Sequence, residues 1–188
     1  YGTEPERFHL LPPNIDRRTF SESDRESARL AKLAELGQAA DTTLLLMVGS
    51  GFRTKGVDRA IEGLAKLQST ESNKTQLVVV GHGKPDSYQL LARSLGVGDR
   101  VHMLGGRADV PEWMLAADLL VHPARNENTG TVLLEALANG LPLLVSDVCG
   151  YAFHIERANA GRLVPSPFSQ TQFNQLLQET VDSAELQQ

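Results

Sequence analysis

The sequence is short of cysteine, of aromatic residues and of long apolar runs, and each shortage excludes something. Cys149 is the only cysteine among 188 residues, so no internal disulfide can form and a reducing compartment is expected. No stretch approaches the roughly 18 consecutive apolar residues that cross a bilayer, and no signal-peptide pattern opens the chain. Aromatic residues make up 5% of the chain and its formal net charge is −5. A basic face or a base-stacking platform for nucleic acid is therefore not expected. What is present is an ordinary globular composition, 41% hydrophobic and 22% charged. A domain of this length buries about 70% of the surface its unfolded chain exposes. The chain opens at Tyr1 with no initiator methionine, as expected of one domain, 1–188, cut from a longer protein.

Short, nearly continuous apolar runs alternate with helical patterns. The runs are Phe8 to Leu11, Leu44 to Val48, Leu77 to Val80, Val101 to Leu104, Leu119 to Val121, Pro142 to Val145 and, more weakly, Gly161 to Val164. Strands buried on both faces read this way, because helices cover a parallel sheet from both sides. Helical periodicity falls at Glu22 to Leu36, Gly56 to Leu67, Ser87 to Leu95, Val110 to Ala117, Val132 to Ala138 and Gln170 to Thr180. The alternation predicts an α/β fold with a doubly wound parallel sheet, Rossmann-like. Ligands of such sheets bind beyond the carboxyl ends of the strands. Pro12-Pro13-Asn14 and the polar stretch Ser21 to Arg29 read as surface connections.

Two strand-end loops carry candidate chemistry. After Val48 comes Gly49-Ser50-Gly51-Phe52-Arg53-Thr54-Lys55-Gly56. A glycine-rich turn entering a helix converges N–H groups and the helix dipole on an anion, and Arg53 and Lys55 add charge. The spacing is not that of a Walker A loop. The alternative is a tight turn with solvated cations. After His122 comes Pro123-Ala124-Arg125-Asn126-Glu127-Asn128-Thr129-Gly130-Thr131-Val132-Leu133-Leu134-Glu135-Ala136. Asn128, Thr129 or Thr131 suits a helix start, and Gly130 admits a ligand close to the backbone. Ionised carboxylates only accept hydrogen bonds, which suits vicinal sugar hydroxyls. Carboxylate, amide nest, carboxylate thus matches the order hexose, diphosphate, ribose. Taken singly, Glu127 also reads as a helix-start acid and Glu135 as an exposed helical charge.

The stretch Glu127-x-x-Gly130-x-Val132-Leu133-Leu134-Glu135-Ala136-x-Ala138-x-Gly140-x-Pro142 is similar to the hallmark of the retaining GT-B glycosyltransferases of family 4. Further matches, in the family's order, are Pro13-Asn14-Ile15-Asp16, Val48-Gly49 with Lys55-Gly56, Val78-Val79-Val80-Gly81-His82-Gly83, Leu95-Gly96-Val97 and Arg100-Val101. Ala117-Asp118-Leu119-Leu120-Val121 and Gly161-Arg162-Leu163-Val164-Pro165 complete the series. The segments Gly49 to Arg59 and Val148-Cys149-Gly150-Tyr151-Ala152 most resemble the branch that adds a hexose, usually glucose, to the inner-core heptose of bacterial lipopolysaccharide.

The resemblance implies the C-terminal, donor-binding lobe of a two-lobed enzyme, with a UDP-hexose as donor and the acceptor held by an absent N-terminal lobe. It implies that Glu127 holds hexose hydroxyls near the reacting carbon and Glu135 the ribose diol. Lys55, with backbone N–H groups of Asn128, Thr129, Gly130 and Thr131, would hold the diphosphate, and Arg107 would lie against uracil. One departure stands out: the family carries a second cation close to Lys55, and here Thr54 precedes it with Arg53 one place off. Gly49 counts among the donor-binding residues, and Gly51 and His82-Gly83 read as close-approach turns. Many transferases hold a divalent metal with Asp-x-Asp; none occurs here, so metal-independent transfer with retention is expected, with Lys55 and the helix start stabilising the leaving phosphate. The fragment alone is expected to bind donor and to be inactive in transfer. The full protein is expected in the cytoplasm, at the inner face of the bacterial inner membrane.

Cys149 and His102 read as structural; His122, closing a strand near the site, and His154, after the Gly150-Tyr151 loop, could border the donor but read first as structural. A nicotinamide-binding domain needs a third glycine in the first turn and an acid after the next strand; Thr54 and Gly81-His82 stand there instead. The alternatives are the lobe of another family 4 transferase with a different acceptor, a nucleotide-sugar epimerase lobe, against which the Glu127 to Pro142 pattern argues, and a non-catalytic sugar-nucleotide sensor.

Overall fold

The computed structural model describes residue 15 and residues 20–67 and 74–183. The expected strand Phe8 to Leu11, the Pro12-Pro13-Asn14 turn and most of the Pro13-Asn14-Ile15-Asp16 motif lie outside these. In chain order the elements are α1 (Glu22–Leu36), β1 (Thr43–Val48), α2 (Phe52–Lys55), α3 (Val57–Lys66), β2 (Thr75–Val80), α4 (Asp86–Ser94), β3 (Val101–Gly105) and α5 (Val110–Ala116). They continue with β4 (Leu119–His122), α6 (Thr131–Ala138), β5 (Leu143–Ser146), α7 (Ala152–Ala158), β6 (Gly161–Val164) and α8 (Gln170–Val181).

The six strands form one sheet in the order β3-β2-β1-β4-β5-β6, every neighbouring pair parallel. Strand side chains alternate between the faces, and two cores follow. Leu45, Met47, Leu77, Val79, Leu119 and Val121 pack under α3 and α8 with Ile61, Leu64, Phe173 and Leu177. Leu44, Leu46, Val78, Val80, Leu120, Leu143 and Val145 pack on the other face with Trp113 and Met114 of α5, Leu133 and Ala136 of α6 and Ile155 of α7. A strand with both faces covered has no polar alternation to show, which is why the runs are continuously apolar.

Ser21 to Arg29 is not a surface connection. Ser21 caps α1 through a reciprocal capping box with Asp24, and the polar residues after it form the outward face of the first two turns. Arg29 points inward: its guanidinium donates to both oxygens of Asp118 (2.9 and 3.0 Å) and to the carbonyls of Ala116 and Thr42. Asp118 also accepts from the Leu44 amide at 2.6 Å. This network ties α1 to the first residues of β1 and β4. Helix α7 lies where the sequence offered only the Gly150-Tyr151 turn; it buries only Ala152 and Ile155, too few apolar positions to display a periodicity.

Candidate active site at the β1–β4 switch point

Strand order reverses between β1 and β4, because β2 and β3 lie on one side of β1 while β5 and β6 lie beyond β4. Connections leaving the carboxyl ends of these two strands diverge, and a crevice opens between them. The glycine-rich turn after β1 and the Pro123–Gly130 loop after β4 are its walls. Both loops singled out by the sequence therefore meet.

Backbone and side-chain contacts lock the walls together. Arg125 donates its amide to the Thr54 carbonyl (2.8 Å), its guanidinium to the Arg53 carbonyl (2.9 Å) and both ends of its fork to Asp58 (2.7 and 2.6 Å). Arg59 donates to the Pro123 and Ala124 carbonyls at 3.0 and 3.1 Å. Asp58, Arg59 and Arg125 stand inside the segments that the sequence marked, but without a role. Their partners lie 64 to 72 positions away in the chain, so no local pattern announces them.

Lys55, at the end of α2, reaches across the crevice and donates to the Glu127 carboxylate at Oε2. Its aliphatic stem lies over Gly49, where a Cβ would come within 2.9 Å of Lys55 Cε; only glycine leaves the stem this path. A second donor meets the same oxygen, His122 Nε2 at 3.4 Å. His122 is fully buried at the end of β4. These contacts, His122 first and Lys55 after it, hold the Glu127 carboxyl down at about 2 against the opposing cost of burial. Glu127 is thus a carboxylate at any neutral pH.

Helix α6 begins at Thr131, with Gly130 ahead of it in the left-handed region (φ 85°, ψ 56°). Asn128 and Thr129 precede the helix and do not cap it. The Thr129 carbonyl accepts from Tyr151, and the Glu127 carbonyl from Gly150, pinning the loop against the segment that follows β5. Among the described residues, the N–H groups of Asn128, Thr129, Gly130, Thr131 and Val132 meet no acceptor. A row of such amides at a helix start is suited to an anion. Glu135 lies one turn along α6, on the face shared with Thr131; its carboxylate has no hydrogen-bond or ion-pair partner among the described residues. The crevice thus presents a cation, a carboxylate and open amides, with a second carboxylate one turn beyond.

The other candidates stand further out. Arg53 is exposed on α2, and among the described residues its side chain has no hydrogen-bond or ion-pair partner while its carbonyl accepts from Arg125. Arg107 follows β3, and its guanidinium is framed by carboxylates. Nε and Nη2 donate to Asp109 at 2.8 and 2.7 Å, Nη1 lies 2.9 Å from Glu35, and the charge sits 5.8 Å from the Trp113 ring centre. Arg107 holds the Asp109 carboxyl well below the usual carboxylate range. Cys149 is buried beside Glu127, and burial pushes its thiol up to about 12, with the charge of Glu127 acting in the same direction. His102 donates to or accepts from Gln76 at 2.9 Å, and burial lowers its pKa; it is a packing residue. His154 stacks against Phe153 on α7. Among the described residues no three His, Cys, Asp or Glu side chains are grouped to hold a metal ion.

Residues 29–188 match the family described as "Glycosyl transferases group 1". Over 187 residues the chain is 48% identical to lipopolysaccharide glucosyltransferase WaaG of Escherichia coli (strain K12), covering 99% of this chain and 50% of that protein. It is 31% identical over 180 residues to the D-inositol 3-phosphate glycosyltransferase of Jonesia denitrificans, covering 91% and 42%. Among solved structures, that of WaaG, a glycosyltransferase involved in lipopolysaccharide biosynthesis, matches with a TM-score of 0.91 at 47% identity, covering 99% of this chain and 50% of that one. Anabaena Alr3699/HepE, in complex with UDP-glucose, matches with a TM-score of 0.72 at 25% identity, covering 89% and 45%. The chain spans about half the length of the curated relatives it matches. Its Rossmann-like sheet is that of GT-B glycosyltransferases, and the chain belongs to the glycosyl transferases group 1 family.

Proposed function

We propose that this chain is the donor-binding half of a retaining hexosyltransferase, taking a UDP-hexose, UDP-glucose first, for transfer to the inner-core heptose of lipopolysaccharide. The observation that carries the reading is the Lys55–Glu127 pair, set at the switch point in front of a row of amides with no acceptor. A cation beside open N–H groups is what a leaving diphosphate requires, since charge grows on it as the anomeric bond breaks. A carboxylate next to that cation is what hexose hydroxyls require. Glu135 takes the ribose diol. Arg107 offers the face of its guanidinium to the base.

On this reading Lys55 and the α6 amides do the work that a divalent ion does elsewhere. The acceptor sits on the other half of the protein, so this chain binds donor and does not transfer. The expected location is the cytoplasm, at the inner face of the inner membrane, where a soluble donor meets a lipid-linked acceptor. The higher identity to the lipopolysaccharide enzyme than to the inositol phosphate enzyme favours the first acceptor.

Titration calorimetry with EDTA present is the direct test. UDP-glucose binds under those conditions, and Lys55→Ala weakens UDP and UDP-glucose alike by about thirtyfold, the worth of roughly 2 kcal/mol for a lost partner of a desolvated charge. Binding that appears only on adding Mg²⁺ or Mn²⁺ overturns the metal-free part. Equal thermal shifts with GDP- or ADP-sugars overturn the uridine assignment. Joining the chain to the missing half and assaying transfer to a heptose-bearing lipid separates an enzyme from a sensor or an epimerase lobe.

A further inference from the structure

His122 is an expensive residue in its place. It closes β4, opposite Val145 of β5, fully buried, in a strand whose other residues are Leu119, Leu120 and Val121. Its Nδ1 is buried without a hydrogen-bond partner among the described residues. An apolar side chain would fill this position without leaving a buried polar atom unmet, which ordinarily costs stability. The return is at the other nitrogen. Nε2 lies 3.4 Å from Glu127 Oε2, the same oxygen that receives Lys55. A carboxylate only accepts, so the imidazole is the donor and carries its proton on Nε2.

Both tethers share one oxygen. Oε1 of Glu127 has no partner among the described residues. Lys55 is also the group that a diphosphate would draw away from the carboxylate. Once it turns to phosphate, the buried imidazole is the tether that remains, and it stands on the rigid end of a central strand.

We propose that His122 is a positioning residue for Glu127: it fixes Oε2 from within the core, so that Oε1 stays aimed at a hydroxyl of the bound hexose. The proposal rests on the donor-site reading of Glu127. It assigns to His122 a role that acts on the sugar and not on the nucleotide.

The test compares UDP with UDP-glucose by calorimetry on the full chain carrying His122→Met, which keeps the bulk and removes the donor, and His122→Gln, which restores an N–H near the Nε2 position. His122→Met is expected to leave the UDP Kd within about twofold and to weaken UDP-glucose by about tenfold, as expected for a hydrogen bond to a charged group. His122→Gln recovers most of that loss. In a Glu127→Ala background, which removes the acceptor, His122→Met has no further effect on the UDP-glucose to UDP ratio. Thermal stability of His122→Met is expected to stay close to wild type, since removing an unmet buried nitrogen offsets the lost donor to Glu127. Equal loss of both ligands, together with a lowered Tm, identifies a merely structural histidine and overturns the proposal. A long-range ¹⁵N spectrum gives a ligand-free check. The Nε2–H tautomer is expected, with a shift that responds to Glu127→Gln, and an Nδ1–H tautomer overturns the contact itself. A wild-type chain that binds neither ligand removes the donor-site reading and the role of His122 with it, while the tautomer still reports whether the contact exists.

Discussion

At the scale of residues, the site is held by charge in contact with hydrogen-bond donors, and its responses to pH follow. The Glu127 carboxyl titrates at about 2 in the folded chain against the ordinary 4.5. A depressed carboxyl favours the folded state above 4.5, and that contribution fades as pH falls toward 2. Glu127→Gln is therefore expected to differ most from wild type in Tm at neutral pH, with the gap narrowing below pH 4.5; a gap that stays constant on acidification contradicts the ion-paired geometry. Cys149 makes a second prediction. With its thiol pushed up to about 12 by burial, it is a thiol and not a thiolate at neutral pH. Labelling by a disulfide reagent is expected to be far slower than for a free thiol, and to become fast in denaturant.

Residues were legible in the sequence to different degrees. Glu127, Glu135, Lys55 and Gly130 stood out because they sit close together in two strand-end loops, with chemistry that a sugar diphosphate would use. His122 was read as structural because a lone histidine ending an apolar strand carries no sign of what its ring faces. Its position five residues before Glu127 was the only available hint. The carboxylates framing Arg107 come from α1 and from the start of α5, and sequence spacing says nothing of that meeting.

Among elements, the sheet strands and six of the helices were readable because each displays either a continuous apolar run or a repeating apolar stripe. Helices α2 and α7 escaped for different reasons: α2 is only four residues long, and α7, no shorter than α5, buries only Ala152 and Ile155 and so shows no apolar stripe. The junction between α2 and α3 merits a substitution. Gly56 ends one helix and begins the next at φ 75°, and a Cβ there would stand 2.1 Å from the Pro123 carbonyl oxygen. Gly56→Ala must strain the backbone or push the β4 loop away. A loss of about 2 kcal/mol or more is expected in denaturant unfolding, along with weakened UDP binding, because Lys55 is its neighbour. At α1, Asp118→Ala takes the carboxylate from the part-buried Arg29 guanidinium, leaving it only the Ala116 and Thr42 carbonyls, and takes the acceptor from the Leu44 amide. Removing one partner of such a pair is expected to cost about 3 kcal/mol, a far larger effect than any change on the exposed face of the same helix.

For the whole molecule, parallel strands put every carboxyl end on one edge, and the switch point selects one gap along that edge. This much followed from the alternation of runs and helices alone. The strand order had to be seen, and it is the order that brings the loop after β1 beside the loop after β4. The 72 positions that separate Lys55 from Glu127 run through α3, β2, α4, β3, α5 and β4, and of these only β4 touches the pair, through His122.

That separation has a kinetic consequence. A chain emerging in order from its N-terminus can complete β1, β2 and β3 and still own no binding pocket, since half of it has yet to be made. The pocket appears only when β4 closes against β1, a long loop closure that comes late. Two fragments cut between β3 and α5 would each lack affinity for a nucleotide sugar, and regaining it on mixing would signal that the central seam had knitted.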